Sequence, residues 1–451
     1  MNCDLTVGKP STTLWKYTLP MFISVVFQQF YNIADSAIAG KFAGESALAA
    51  IGASYPITMI FMAVATGSSV GVTVVISQYF GARRYGGLKT AAYTTMIFGT
   101  VLSLVLTAAA LICSPMMLRA IQTPESIFAD AEIYMNIYLG GFLFLYLYNV
   151  ANGVFNAMGD SKTPLYLLIL SSLGNVVLDY IFVAIFHWGV AGAAWATFIM
   201  QGVACVLSVI LLFRRLRRIE TESAEKIRLF SFGMLGVILA IAVPSILQSS
   251  FVSVGNLFIQ SLINSCGESV IAGFSAAFKL NTFAITSMTT IASGVSSFTA
   301  QNIGAGKFDR VKKGFSAGIM IALIITIPFT LCYTFIGQYP LSIFMEDTGA
   351  AAMATGKEFL IIAAPFYALV CIKLICDGVL RGARAMLLFM ITTFSDLVLR
   401  VALSYILFPI FGETGIWYSW PIGWIIAAII SAVFYFSGIW KKKIQINTHV
   451  N

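Results

Sequence analysis

The sequence predicts an all-α integral membrane protein with twelve transmembrane helices in two six-helix lobes, and three observations support this fold class. Of the 451 residues, 59% are hydrophobic and only 10% are charged, whereas a soluble domain carries roughly 25% charged residues. Apolar runs of about 20 residues, the length that crosses a bilayer, recur along the whole chain. The second half also repeats the first. So few charges exclude a water-soluble enzyme, a nucleic-acid-binding protein and a disordered scaffold.

Twelve apolar runs follow one another along the sequence. They are continuous rather than alternating, which favours helices over the strands of an outer-membrane barrel. Several runs exceed 25 residues, so tilted or kinked helices are expected. The runs cover residues 14–38, 47–78, 91–115, 128–157, 163–186, 190–213, 231–263, 269–300, 314–337, 351–380, 385–411 and 415–440.

The 27 Lys and Arg residues are distributed unevenly over the connections between these runs. Alternate connections on one side, with the adjoining ends of the runs, carry 21 of them, those on the other side carry three, and three lie deeper inside runs. By the positive-inside rule, this asymmetry predicts a multi-pass protein with both termini in the cytoplasm. The net charge of +8 therefore indicates membrane topology rather than nucleic-acid binding.

The two halves of the chain resemble each other at an offset of about 223 residues. The position of Pro20 recurs as Pro244, and that of Asn32 recurs as Asn256. Because six helices separate the copies, both halves have the same orientation and form a parallel repeat about an axis along the membrane normal.

This repeat predicts a domain organisation of two lobes. Residues 1–213 form an N-terminal six-helix lobe, residues 214–230 a basic cytoplasmic linker, and residues 231–451 a C-terminal six-helix lobe. A duplicated protein of this kind, with a cavity between its lobes, suits transport by alternating access.

Ionisable residues inside the runs are candidates for function because each costs at least ~2.5–3.5 kcal/mol in hydrocarbon. The first lobe contains Asp35 and Asp179 with no intramembrane Lys or Arg, and Asn175 lies four residues before Asp179 on the same helix face. Two such acids need a proton, a metal cation or polar neighbours. We expect a cation site here, for H⁺ or Na⁺, and the alternative is a pair of neutral carboxylic acids bonded to the backbone.

The second lobe differs in its intramembrane charges. Lys373 and Asp377 are four residues apart on one helix, and Asp396 and Arg400 are four apart on the next. Each acid can be neutralised by its neighbour on the same face, which favours structural ion pairs.

The sequence resembles the multidrug and toxic compound extrusion (MATE) family. The resemblance extends over essentially the whole chain, and the order of its motifs across twelve spans makes it specific. It is carried by Leu19-Pro20, the run from Gln28 to Gly40, the loop from Gln78 to Arg84, Gly159 to Pro164, Asn175 to Asp179, and Gly189 to Thr197.

The resemblance implies a prokaryotic exporter that is driven by inward flow of H⁺ or Na⁺ and has two lobes opening alternately to each side. The prokaryotic branch with a cation site in the N-terminal lobe uses an aspartate of the first helix, an Asn and an Asp of the fifth, and a threonine of the sixth. These positions are Asp35, Asn175, Asp179 and Thr197 here, and Tyr134 and Asn149 are implied as members of a supporting network.

Other residues are candidates for a hinge and for a substrate cavity. Pro20 should kink the first helix because proline removes a backbone hydrogen bond. Polar residues at repeat-matched positions, adaptable methionines and one intramembrane lysine are expected to line the cavity. They are Gln29, Asn32, Asn152, Asn256, Lys279, Met59, Met62 and Met288.

The sequence therefore predicts a cation-coupled antiporter of the plasma membrane that exports amphipathic, often cationic, small molecules. It is expected to act as a monomer in the lipid bilayer, with no cofactor besides the coupling ion, no further metal and no nucleic-acid partner. An enzyme is disfavoured because no nucleophile–base set or phosphate loop is present. A lipid or lipid-linked oligosaccharide flippase of the same superfamily and a non-transporting membrane scaffold are the alternatives.

Overall fold

The long apolar runs form α-helices, because a helix satisfies its backbone hydrogen bonds within one segment and can therefore lie in hydrocarbon. The structure, a computed structural model, describes residues 3–221, 225–345 and 349–441. All secondary structure in these residues is helical, which confirms the predicted all-α class.

Seven α-helices make up the first half of the described chain. They are α1 (Pro10–Ile38), α2 (Glu45–Gly81), α3 (Tyr85–Ala120), α4 (Glu125–Gly140), α5 (Phe142–Ala157), α6 (Lys162–Asp179) and α7 (Gly189–Arg218). Two π-helical segments, Ala39–Ala43 and Tyr180–Ile185, continue α1 and α6 directly.

Eight α-helices make up the second half of the described chain. They are α8 (Phe232–Asn264), α9 (Glu268–Gly304), α10 (Phe308–Phe335), α11 (Gln338–Ser342), α12 (Ala350–Ala363), α13 (Tyr367–Gly382), α14 (Met386–Phe411) and α15 (Glu413–Phe436). A short 3₁₀ turn, Ala364–Phe366, joins α12 to α13.

Two of the predicted spans consist of two helices each. Helices α4 and α5 meet at Gly141 with a bend of 44°, whereas α12 and α13 continue as one span through the short 3₁₀ turn that contains Pro365. The repeat makes positions 141 and 364 equivalent, so both halves interrupt the α-helix at the same place.

Length and composition identify most of the described helices as possible membrane spans. Ten pass this test, with Ala350–Gly382 counted as one span, and the bent pair α4–α5 makes eleven. Helix α1, 29 residues long, occupies the first predicted run.

The chain divides into two compact units that exchange parts of two helices. Unit 1 consists of Met1–Asp4 and Leu19–Leu247, and unit 2 consists of Leu5–Thr18 and Gln248–Asn451. Helices α1 and α8 thus each contribute to both units, and they change unit within four residues of the internal prolines Pro20 and Pro244. The sequence prediction, by contrast, assigns each of these two helices to a single lobe.

The segment before α1, residues 5–9, is tied to unit 2 by hydrogen bonds, and we name it the N-terminal strap. The backbone N–H of Leu5 donates to Oε1 of Gln301 at 3.1 Å, and Lys307 donates to the carbonyl of Thr6 at 2.9 Å. The guanidinium of Arg310 donates to the carbonyls of Gly8, Val7 and Leu5 at 2.7, 3.1 and 3.2 Å.

The segment before α8 is tied to α3 of unit 1 in a comparable way. Glu225 accepts a hydrogen bond from the backbone N–H of Gly86 at 2.5 Å, at the start of α3. One and two turns further along α3, the hydroxyls of Thr90 and Thr94 accept from the backbone N–H groups of Arg228 and Ser231, both at 3.1 Å. The first halves of α1 and α8 are therefore both fixed by polar contacts just before they begin.

Hydroxyl groups of α2 join it closely to α5, the helix that carries Asn149 and Asn152. Ser69 donates to the carbonyl of Asn149 at 2.7 Å, and Thr73 donates to the carbonyl of Gly153 at 3.1 Å. A Cβ at Gly153 would lie 2.7 Å from Oγ of Ser69, so only glycine permits this approach. Small residues and interhelical hydroxyls are the usual basis of helix packing in membranes.

Replacement of Arg310 tests the N-terminal strap. Arg310→Ala removes three hydrogen bonds from a charged donor to the strap, and each such bond contributes about 1.5–3 kcal/mol. We expect a lower midpoint of thermal unfolding in detergent and faster proteolysis within the first ten residues. The control is Lys313→Ala, an exposed residue of the same helix. Equal behaviour of the two variants would contradict the strap's role.

Candidate functional site

Two aspartates lie next to each other near one end of unit 1. Asp35 is one turn before the end of α1, and Asp179 is the last residue of α6. The side chain of Asp179 is completely buried, and Asp35 is partly buried. Their carboxyl groups interact directly by electrostatics, and the π-helical segments begin within four residues of each acid. Short π-helical stretches are frequent at functional sites.

Asn175 connects this acid pair to two further helices. It lies one turn before Asp179 on α6, and its side chain is 3% exposed. Its amide nitrogen donates to Oδ2 of Asp179 at 3.1 Å and to the hydroxyl of Tyr31 at 2.6 Å. Its amide oxygen accepts from the backbone N–H of Thr197 at 3.1 Å. The orientation of the amide is the one in which both of its ends are satisfied.

Tyr31 is a member of the site that the sequence prediction missed. Besides its bond with Asn175, it interacts with both aspartates and with the side chain of Thr197. The signal that could have identified it is its position four residues before Asp35, which places both side chains on one face of α1. Tyr31 thus links α1 to α6 and α7.

Tyr134 also lies at the site, whereas Asn149 lies elsewhere. The phenol of Tyr134 on α4 interacts with Asp35 and Asp179 and stacks on Tyr138 at 6.0 Å between ring centroids. The side chain of Asn149 donates to the carbonyl of Leu145 in its own helix at 2.8 Å. Among the described contacts, those of Asn149 belong to the interface of α2 and α5 and include none with the acid pair.

The chemistry of this site is defined by oxygen atoms and by its charge. Within the described residues, the ion pair that forms is in unit 2, and neither Asp35 nor Asp179 has a basic partner. Oδ1 of Asp179 is buried yet accepts no hydrogen bond from the described residues. Carboxylate, amide, phenol and hydroxyl oxygens can hold Na⁺, and two adjacent carboxyl groups can share a proton. The described residues contain no group of three His, Cys, Asp or Glu side chains that could hold a transition metal.

The substrate-cavity candidates of unit 1 differ in exposure. Asn32 is exposed, and Gln29, Met59 and Met62 are partly buried. Asn152 interacts with the phenol of Tyr148, and its Oδ1 is buried without a described partner.

The candidates of unit 2 are also dispersed. Lys279 is exposed, with its ammonium 5.5 Å from the centroid of the Phe344 ring, a cation–π contact. Asn256 has a buried Oδ1 without a described partner. Met288 is completely buried, so it presents no surface to a cavity. Their role in binding substrate stays a prediction.

The charges of α13 are neutralised locally, as the sequence suggests. Lys373 and Asp377 form a buried ion pair with 3.0 Å between nitrogen and oxygen. Oδ1 of Asp377 also accepts from the hydroxyls of Thr392 at 2.9 Å and Ser431 at 2.8 Å.

The second predicted pair, Asp396 and Arg400, interacts less directly. Arg400 is 7% exposed, and its guanidinium stacks over the ring of Trp420 at 4.3 Å. Asp396 interacts with it electrostatically, but the two do not approach within ion-pair distance. Unit 2 therefore carries its own positive charges beside its buried acids, whereas the acid pair of unit 1 does not.

Comparison with known proteins gives both a family and a set of relatives. The family model described as MatE matches residues 20–181 and 244–406, one match in each repeat. "Probable multidrug resistance protein YpnP" of Bacillus subtilis (strain 168) is 27% identical over 97% of this chain and 97% of its own length. "Probable multidrug resistance protein YoeA" of the same organism is 25% identical, again over 97% of each chain.

A solved structure has the same fold. The outward-facing conformation of a multidrug resistance MATE family transporter matches with a TM-score of 0.91 and 24% identity, over 98% of this chain and 99% of the other. The match confirms the predicted fold class, an all-α membrane protein with twelve transmembrane helices.

The buried ion pair of α13 can be tested by removing one charge or both. Asp377→Asn should destabilise the protein by about 3–5 kcal/mol, because it leaves the buried ammonium of Lys373 without a counter-ion. The double variant Lys373→Met/Asp377→Asn should recover most of that loss. Thermal unfolding in detergent measures both. A double variant as unstable as the single one would contradict the assignment.

Proposed function

Because the chain belongs to the MatE family, we propose that it is a cation-coupled antiporter that exports amphipathic, often cationic, small molecules by alternating access. The two relatives that match over nearly the whole chain are each named a probable multidrug resistance protein, which supports a role in drug export. The distribution of Lys and Arg supports a plasma-membrane protein with cytoplasmic termini. We propose that the protein acts as a monomer with no cofactor besides the coupling ion.

One observation supports cation coupling above all, the contact between Asp35 and Asp179 with no basic partner among the described residues. Two unit charges 4 Å apart repel by about 4 kcal/mol at an effective dielectric constant of 20. Each isolated charge also costs free energy in a membrane-spanning segment. A bound cation, either Na⁺ or a proton shared between the carboxyl groups, removes most of both penalties. The oxygen-rich surroundings and the unsatisfied Oδ1 of Asp179 suit either ion.

The position of Asp35 suggests how cation binding would drive transport. It lies on α1, the helix whose beginning belongs to unit 2 and whose end belongs to unit 1. Without a cation, repulsion from Asp179 pushes the end of α1 away from α6. A bound cation draws the two together, and the bonds between Tyr31, Asn175 and α7 hold the closed arrangement. The cation thus has different affinities for two arrangements of α1, and a differential affinity is what shifts a conformational equilibrium.

Pro20 would act as the hinge of this movement. It lies inside α1, close to the residue at which the helix changes unit. Because proline donates no backbone hydrogen bond, the helix can bend there at lower cost than elsewhere. Repacking at Asp35 can therefore alter the end of α1 while its beginning remains held by the N-terminal strap.

Coupling is tested by dye export from proteoliposomes, with Na⁺ and pH gradients imposed separately on a fluorescent cationic dye. We expect one gradient to drive uphill export by the wild type. Asp35→Asn and Asp179→Asn should reduce that export at least about tenfold, because the free energy that biases the equilibrium is lost. The matched control is Asp309→Asn, an exposed acid of α10, which should behave as wild type.

Two results would contradict the proposal. Export at the wild-type rate by both aspartate variants would show that the acid pair has no part in the mechanism. A wild type that responds to neither gradient would rule out cation coupling and favour a flippase.

A further inference from the structure

A cavity of about 240 Å³ lies within unit 1, apart from the acid pair. Three stretches of the chain converge on it: the junction of the first π-helical segment with α2, the first turns of α4, and the turn that leads into α7. Its lining residues are Ala43, Ser46, Ala47, Asp130, Ile133, His187, Trp188, Gly189, Val190 and Ala191. We name it the outer cavity, because the positive-inside rule places these ends of the helices away from the cytoplasm.

The outer cavity continues the helices that form the acid site. On α4, Asp130 lies one turn from Tyr134, about 6 Å along the helix axis at 1.5 Å per residue. On α7, Val190 precedes Thr197 by seven residues, about 10 Å. Ala43 follows Asp35 through the first π-helical segment, and the residues from His187 onward follow the second. The cavity therefore lies one to two helical turns from Tyr134 and Thr197, two residues of the acid site, toward the non-cytoplasmic end.

Among the described residues that line the outer cavity, Asp130 and His187 have titratable side chains. Asp130 is partly buried, and His187 is exposed in a left-handed backbone conformation with φ of 56°. That conformation is uncommon for a residue other than glycine, and it lets the chain turn from the π-helical segment into α7.

The basic residues nearby do not line the cavity. Lys41 is held over the ring of Phe42 at 5.6 Å, and Arg119 is held over the ring of Phe128 at 5.8 Å. Neither is among the residues that face the outer cavity. Among the described lining residues, Asp130 is therefore the acidic side chain at the outer cavity.

We propose that the outer cavity is the vestibule through which the coupling cation reaches Asp35 and Asp179, and that Asp130 is the first carboxylate it meets. This inference rests on the proposed cation coupling. A carboxylate in a recess with low-dielectric walls raises the local concentration of cations and their rate of arrival. Asp130 thus accelerates capture of the ion, while the acid pair binds it.

The test compares acid variants of α4 in proteoliposomes at low ionic strength. Asp130→Asn should raise the external cation concentration for half-maximal dye export by about three- to tenfold and leave the maximal rate unchanged. Asp130→Glu, which keeps the charge, should restore the wild-type value. Glu132→Gln is the matched control, since Glu132 lies on the same helix but does not line the cavity. Added choline chloride should shrink the Asp130→Asn effect, because salt screens exposed charges.

The outcomes separate the vestibule from the coupling itself. If Asp130→Asn and Glu132→Gln have the same half-maximal cation concentration at low ionic strength while Asp35→Asn is inactive, the proposed vestibule is contradicted and the proposed cation coupling stands. The same holds if the effect of Asp130→Asn is independent of salt or lowers the maximal rate alone. If export by the wild type responds to no cation gradient, both the proposed cation coupling and the proposed vestibule are contradicted.

Discussion

The constraint on which this structure depends is a pair of carboxyl groups that meet inside membrane-spanning helices without a basic partner. Neither acid can carry a full charge there cheaply, and two adjacent charges repel. The surroundings of Asp35 and Asp179 meet this constraint with oxygen atoms and one buried amide. Asn175 contacts an acid, a phenol and the backbone of α7 at once. The site therefore holds together three helices, α1, α6 and α7, around two carboxyl groups that have no basic partner among the described residues.

The second repeat meets the same constraint differently, and the difference locates the proposed coupling. Asp377 is satisfied by Lys373 and two hydroxyls, and Asp396 has Arg400 one turn away. The counter-charges of unit 2 are thus basic side chains of the protein itself, so its buried acids need no ion from solution. The two repeats therefore differ: unit 2 neutralises its acids with its own basic side chains, whereas unit 1 must obtain a cation from solution. This difference suits coupling in unit 1 alone.

The twelve helices could be predicted because continuous apolar runs specify helices in a bilayer, and the acid pair because intramembrane charges are so few. Tyr31 lies four residues before Asp35, which fits its place in the site. This spacing alone could not identify it, because the sequence does not show which face of α1 turns inward. The implied contact of Asn149 is absent from the described contacts, because its amide is satisfied by its own helix. The N-terminal strap and the contact between α3 and the segment before α8 depend on hydrogen bonds between residues about 140 or 300 positions apart, which no local pattern indicates.

The central claim is that Asp35 and Asp179 together take up one cation. Infrared difference spectroscopy of the purified protein in lipid, recorded on addition of Na⁺ at constant pH and on a pH change without Na⁺, tests it directly, because a protonated carboxyl group has its own carbonyl stretch. We expect a change in that band when the coupling ion is H⁺, or in the carboxylate stretching bands when it is Na⁺, and loss of this change in both Asp35→Asn and Asp179→Asn. No change in either set of bands in the wild type, or the same change in both variants, would contradict uptake of one cation by the pair.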